Sequence, residues 1–173
     1  SMKQIPNILS TLRIIILPFF AYSIFQDNFL VAGVLLVVSG ISDFLDGFLA
    51  RTFSWKTRLG ELLDPLADKL TQLTIAFIFV FYLEEFRAFF AILFAKDIIM
   101  LIGSAVSYKK EISIPAAKWW GKIATALFYI ATILIMLFPN IDPIIKKVLL
   151  STVVLSSVFS LLMYAKMFLT DNK

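Results

Sequence analysis

Residues 43–69 read DFLDGFLARTFSWKTRLGELLDPLADK. This stretch decides the reading of the chain, because the sequence on either side is greasy and this segment is not. Four aspartates, Asp43, Asp46, Asp64 and Asp68, stand at fixed intervals, with Gly47, Arg51 and Gly60 among them. Carboxylates are costly at membrane depth, so four of them close together need a chemical reason.

Outward from that stretch, the chain of 173 residues is 60% hydrophobic, with a mean hydropathy of +0.91. Soluble domains lie near about 45–50% apolar, which points to a polytopic membrane protein. A span needs about 20 apolar residues. Six candidates are read, at residues 8–25 (with a kink expected at Pro18), 29–50, 62–82, 86–106, 119–138 and 144–169. The expected fold class is all-α: a six-transmembrane-helix bundle forming a single domain over residues 1–173. A short polar segment before Ile8 is expected to lie along the interface. Ser1 is expected to stand outside the natural start, and no cleavable leader is read ahead of the first span.

Six spans place both termini on one side. Of the 16 Lys and Arg residues, only Arg87, Lys146 and Lys147 fall on the other side, and Lys96 falls mid-span. This asymmetry predicts a multi-pass cell-membrane protein with its termini and the aspartate-rich junction facing the cytosol. The chain has no Cys and no His. Disulfides, thiolate chemistry and the favoured zinc ligands are thereby excluded, and any metal must be a hard, oxygen-bound ion. No nucleic-acid partner is expected.

Asp43 and Asp46 are spaced i, i+3 at the end of the second span, so they share a helix face. Asp64 and Asp68, spaced i, i+4, share a face of the third. A linker of roughly ten residues predicts that these two helices are antiparallel neighbours with their acidic faces meeting near the membrane boundary. A lone Asp at a span end is usually a solvated cap, and Asp64 before Pro65 fits an N-cap with proline at the first helical position. Caps do not account for four acids in paired spacing across one hairpin. A divalent cation relieves both the mutual repulsion and the burial cost, and four aspartates can hold two Mg²⁺-like ions that bridge phosphate oxygens. Gly47 and Ala50 are small enough to let a ligand approach the backbone, and Arg51 offers a planar fork for phosphate.

The stretch resembles the signature of the CDP-alcohol phosphotransferases, D-x2-D-G-x2-A-R-x8-G-x3-D-x3-D. Asp43, Asp46, Gly47, Ala50, Arg51, Gly60, Asp64 and Asp68 match every fixed position. The family core is a six-helix bundle, so the resemblance covers the whole chain. It implies that Asp43, Asp46 and Asp64 ligate metal and that Asp68 is the general base, also touching a metal. It also implies that Gly47, Ala50, Arg51 and Gly60 seat the cytidine diphosphate. The reaction implied is displacement of CMP from a CDP-linked lipid by an alcohol, with two Mg²⁺ or Mn²⁺ ions as cofactors. A homodimer among membrane lipids is the implied assembly.

The run IPNILSTLRI, residues 5–14, resembles the opening of phosphatidylglycerophosphate synthases and of the related cardiolipin synthases. It places Asn7 and Arg13 near the diphosphate, although an arginine there also suits an interfacial anchor. The implied substrates are CDP-diacylglycerol and glycerol 3-phosphate. Lys96, Lys110, Lys118 and Lys122 are the candidates for the acceptor phosphate, although Lys110, Lys118 and Lys122 also suit simple positive-inside charge. WWGKIAT, residues 119–125, resembles the W-x-G-K-x-x-T run of glycerophosphate-using relatives. The chain departs from them at Lys96-Asp97, where an Arg–acid pair is common, and at Ala124 and Phe128, where Lys and Gln are common. Cardiolipin and phosphatidylserine synthesis are the enzyme alternatives. A cation channel or transporter predicts acids strung along a path through the bilayer, and a lipid-binding scaffold gives no reason for the spacing.

Overall fold

The computed structural model describes residues 2–111 and 118–171. Among them the secondary structure is all helical, without a strand, and short linkers join the helices. The six long helices are α1 Ile5–Phe25, α2 Phe29–Thr52, α3 Arg58–Tyr82, α4 Arg87–Lys109, α5 Trp119–Leu137 and α6 Pro143–Asp171. Five of them are long and apolar enough to cross a membrane. The exception is α3, whose first half carries Glu61, Asp64, Asp68 and Lys69. It occupies the place of the expected third span, residues 62–82.

Local signals set the helix ends. The Asn28 side chain accepts from the Val31 N–H at 3.3 Å and starts α2. Asp142 accepts from the Ile144 N–H at 2.8 Å at the start of α6. Thr57 caps α3 by accepting from the Gly60 N–H at 3.0 Å. Asp64 is therefore not an N-cap: the helix begins two turns earlier, and Pro65 lies inside it. The polar segment before Ile8 joins the first span without a break. Met2–Gln4 forms a 3₁₀ turn that runs into α1 at Ile5, with Pro6 in the first turn, where a missing N–H costs nothing. Pro18 lies within α1 without ending it, as bundle neighbours in a membrane permit.

The helices pack in a closed ring, in the order α1, α2, α5, α6, α4, α3 and back to α1. Phe20, Ile24, Leu36, Ile75, Phe79, Phe90 and Phe128 fill its interior, each 1% exposed or less. Outward faces present Ile15, Phe19, Leu30, Phe77, Ile99, Leu155 and Leu162, an apolar jacket suited to lipid. The ring corrects one expectation. Helices α2 and α3 are not principal neighbours, because α1 packs against both and lies between them. Their acidic ends therefore meet across α1, and the residue α1 places there is Arg13.

Candidate functional site

Arg13 is completely buried, and its guanidinium is the hub of the aspartate cluster. Nη1 donates to Asp43 Oδ1 at 2.6 Å. Nη2 donates to Asp46 Oδ2, to Asp64 Oδ1 at 3.0 Å and to Ser10 Oγ at 3.0 Å. Ser10 in turn donates to Asp46 Oδ2 at 2.8 Å. Ser10 and Arg13 are spaced i, i+3, so one face of α1 supplies both. The hydroxyl of Ser42 donates to the Leu9 carbonyl at 3.2 Å and clamps α2 to α1 beside the cluster.

Asp43, Asp46 and Asp64 each bring a carboxylate oxygen within 4.8 Å of the others. Asp46 is buried, Asp43 half-buried and Asp64 exposed, so the cluster opens on the Asp64 side. One guanidinium against three carboxylates leaves the cluster two charges short of neutrality. Asp46 Oδ1 is buried without a hydrogen-bond partner. A hard-oxygen donor set, an orphaned buried oxygen and a deficit of two charges fit a divalent cation.

Asp68 stands one helical turn further along α3 and is not part of that three-carboxylate group among the described residues. Its Oδ2 pairs with Lys69 Nζ at 3.1 Å and accepts from Gln72 Nε2 at 3.1 Å. Its Oδ1 is buried and has no hydrogen-bond partner. Lys96, at mid-span, is 6% exposed. It is the paired lysine that a bilayer tolerates, with Nζ 2.6 Å from Asp97 Oδ1 and 3.3 Å from Gln72 Oε1.

The remaining expected residues divide among three places. Asn7 is buried at the corner where α1 meets α3. Its Nδ2 donates to Gln4 Oε1 at 2.7 Å and to Thr57 Oγ1 at 3.3 Å. Gly60 faces it so closely that a Cβ would lie 2.7 Å from Asn7 Oδ1, which is why this position is glycine. At the end of α2, Arg51 is exposed and lies over Gly47, whose added Cβ would meet Nη1 at 3.1 Å. The opening at Gly47 is thus filled by the chain's own arginine, with Ala50 half-buried beside it. Lys110, Lys118 and Lys122 are exposed at the α4–α5 junction, and none makes an ion pair with a described residue.

Sequence reasoning missed Ser10, Lys69 and Gln72. A signal existed for two of them: Gln72 is i+4 from Asp68, and Ser10 is i−3 from Arg13, both polar positions in apolar runs. Lys69 was counted only as a cytosolic charge.

Arg13→Gln is expected to destabilise the metal-free protein by about 3–5 kcal/mol, since it removes the guanidinium that pairs with the buried Asp46 and the half-buried Asp43. Added Mg²⁺ should restore much of the loss. Thermal melts in detergent with and without Mg²⁺ check this, and the Mg²⁺-induced rise should be larger in the variant than in the wild type.

The match to known proteins agrees with this arrangement. The family model described as CDP-alcohol phosphatidyltransferase matches residues 3–170. A protein of Aquifex aeolicus named CDP-diacylglycerol–glycerol-3-phosphate 3-phosphatidyltransferase is 35% identical over 124 residues, covering 70% of this chain and 69% of the relative. Proteins of the same name from Salmonella paratyphi A and Escherichia coli K12 are 32% and 30% identical over 147 residues, covering 80% of this chain and 79% of each relative.

Proposed function

The chain belongs to the CDP-alcohol phosphatidyltransferase family, and from that premise we propose that it transfers the phosphatidyl group of CDP-diacylglycerol to glycerol 3-phosphate. The products are phosphatidylglycerophosphate and CMP. The observation that carries the reading is the convergence of Asp43, Asp46 and Asp64 on one point, with the unpartnered Oδ1 of Asp68 one turn away.

Held by Asp43, Asp46 and Asp64, one or two Mg²⁺ or Mn²⁺ ions would polarise the diphosphate and neutralise the departing CMP. Asp68 Oδ1 takes the proton of the attacking glycerol hydroxyl. A carboxylate is ionised at neutral pH, so the chain needs no histidine for this step. The hydroxyl oxygen bonds to the phosphatidyl phosphorus as that atom's bond to the bridging diphosphate oxygen breaks, and CMP leaves with the bridging oxygen. Arg51, at the exposed end of α2, forks onto a phosphate of the cytidine diphosphate. Asn7 and Gly60, in contact where α1 meets α3 and one helical turn before Asp64, help to seat the cytidine diphosphate. The excess of Lys and Arg at this end of the bundle supports a cytosolic site, where glycerol 3-phosphate is dissolved.

The acceptor is tested by CMP release from CDP-diacylglycerol in mixed micelles. Glycerol 3-phosphate should support release, while phosphatidylglycerol, serine and inositol phosphate should leave it at background. Release driven by phosphatidylglycerol would turn the assignment to cardiolipin synthesis.

A further inference from the structure

Beneath the aspartate cluster lies a closed polar ring inside the α3–α4 interface. Lys69 Nζ is 3.1 Å from Asp68 Oδ2 and 3.8 Å from Asp97 Oδ1. Lys96 Nζ is 2.6 Å from Asp97 Oδ1 and donates to Gln72 Oε1 at 3.3 Å. Gln72 Nε2 closes the ring by donating to Asp68 Oδ2 at 3.1 Å. Gln72 and Asp97 are at most 1% exposed.

Two aspartates and two lysines are a costly way to pack two helices. Buried ion pairs of this kind contribute little net stability, and apolar side chains of similar volume often serve better. What the ring does provide is orientation. Both contacts to Asp68 fall on Oδ2, one of them charge-assisted, and together they hold the carboxylate against rotation. Oδ1 is left buried and unpartnered. An oxygen so arranged is an acceptor kept free for a proton that arrives with the substrate.

We propose that Lys69, Gln72 and the α4 pair Lys96–Asp97 are positioning residues that hold Asp68 with Oδ1 toward the attacking hydroxyl. Lys96 acts through Gln72 and does not bind the acceptor phosphate. The inference rests on the reading of Asp68 as general base. It gives the departure at Lys96-Asp97 a physical role: an ammonium suffices here, because the contact is to one amide oxygen and one carboxylate oxygen rather than to a forked phosphate.

The test uses the full chain in mixed micelles, with kcat and both KM values measured by CMP release for Gln72→Leu, Lys96→Met, their double variant, Lys69→Arg and Lys69→Met. Misplacing a reacting group by about an ångström costs on the order of 100-fold. Gln72→Leu and Lys96→Met are each expected to lower kcat about 10- to 100-fold, with KM for glycerol 3-phosphate unchanged. The double variant should be little worse than the poorer single, because both break the same ring. Lys69→Arg should retain more activity than Lys69→Met. A raised KM for glycerol 3-phosphate in Lys96→Met with kcat intact would make Lys96 an acceptor ligand and overturn the proposal. So would wild-type kcat in Gln72→Leu, a variant that removes no charge and so guards against a folding failure in Lys96→Met. Asp68→Asn is the control for the underlying reading. If it keeps turnover, the base assignment fails; if it alone loses turnover, only the positioning role fails.

Discussion

Replacing Asp68 by asparagine is expected to lower kcat for CMP release by about 10²- to 10⁴-fold, the usual contribution of a general base, with KM for CDP-diacylglycerol near the wild-type value. The substitution is nearly isosteric, and an amide can still accept from Gln72, which now donates to Asp68 Oδ2 at 3.1 Å. What it removes is an oxygen able to take a proton, the role given to the unpartnered Oδ1. Asp43, Asp46 and Asp64 remain grouped without it, so the diphosphate end of the substrate keeps its binding site. Steady-state kinetics at saturating Mg²⁺ separate the two parameters. Wild-type turnover in Asp68→Asn would refute the assignment.

Removing divalent ions is expected to abolish CMP release, and Mg²⁺ or Mn²⁺ in excess over EDTA to restore it. Lewis-acid polarisation of a phosphoryl group contributes several kcal/mol to the transition state. At about 1.4 kcal/mol per tenfold, that corresponds to at least about 100-fold in rate. Asp46→Asn should reproduce the loss and resist rescue by added metal. Asp46 is the most buried of the three carboxylates, 2% exposed, so no solvent-borne ligand can stand in for it. Its Oδ2 is engaged by Ser10 and Arg13 while Oδ1 lacks a partner, which makes Oδ1 the oxygen offered to the ion. Metal-independent release would contradict the site.

The six helices were legible because membrane spans announce themselves as apolar runs, and their ends moved by only a few residues. α3 was extended at its start by Thr57, an N-cap whose signal was hidden behind the more conspicuous Asp64-Pro65 pair. Helical spacing alone singled out four aspartates, of which Asp43, Asp46 and Asp64 come together; their meeting place could not be read from it. A short linker suggested that α2 and α3 pack directly, whereas the ring order inserts α1 between them. Ring order depends on side-chain fit around the whole bundle, which no local spacing encodes. Arg13 was read as lying near the diphosphate, and for the same reason its pairing with Asp43, Asp46 and Asp64 was not foreseen. Lys96 was recognised as needing a partner, but Gln72 was not identified as part of the answer. Lys69 escaped notice because positive charge at a membrane boundary has an ordinary explanation, and its contacts with Asp68 and, across the α3–α4 interface, with Asp97 set it apart.

The account stands most directly on where the glycerol goes. With glycerol 3-phosphate labelled in its carbon skeleton, CDP-diacylglycerol and Mg²⁺, label recovered in the lipid fraction should equal CMP released, one for one, and both should vanish in EDTA. CMP release with the label left in the aqueous phase would contradict phosphatidyl transfer to this acceptor.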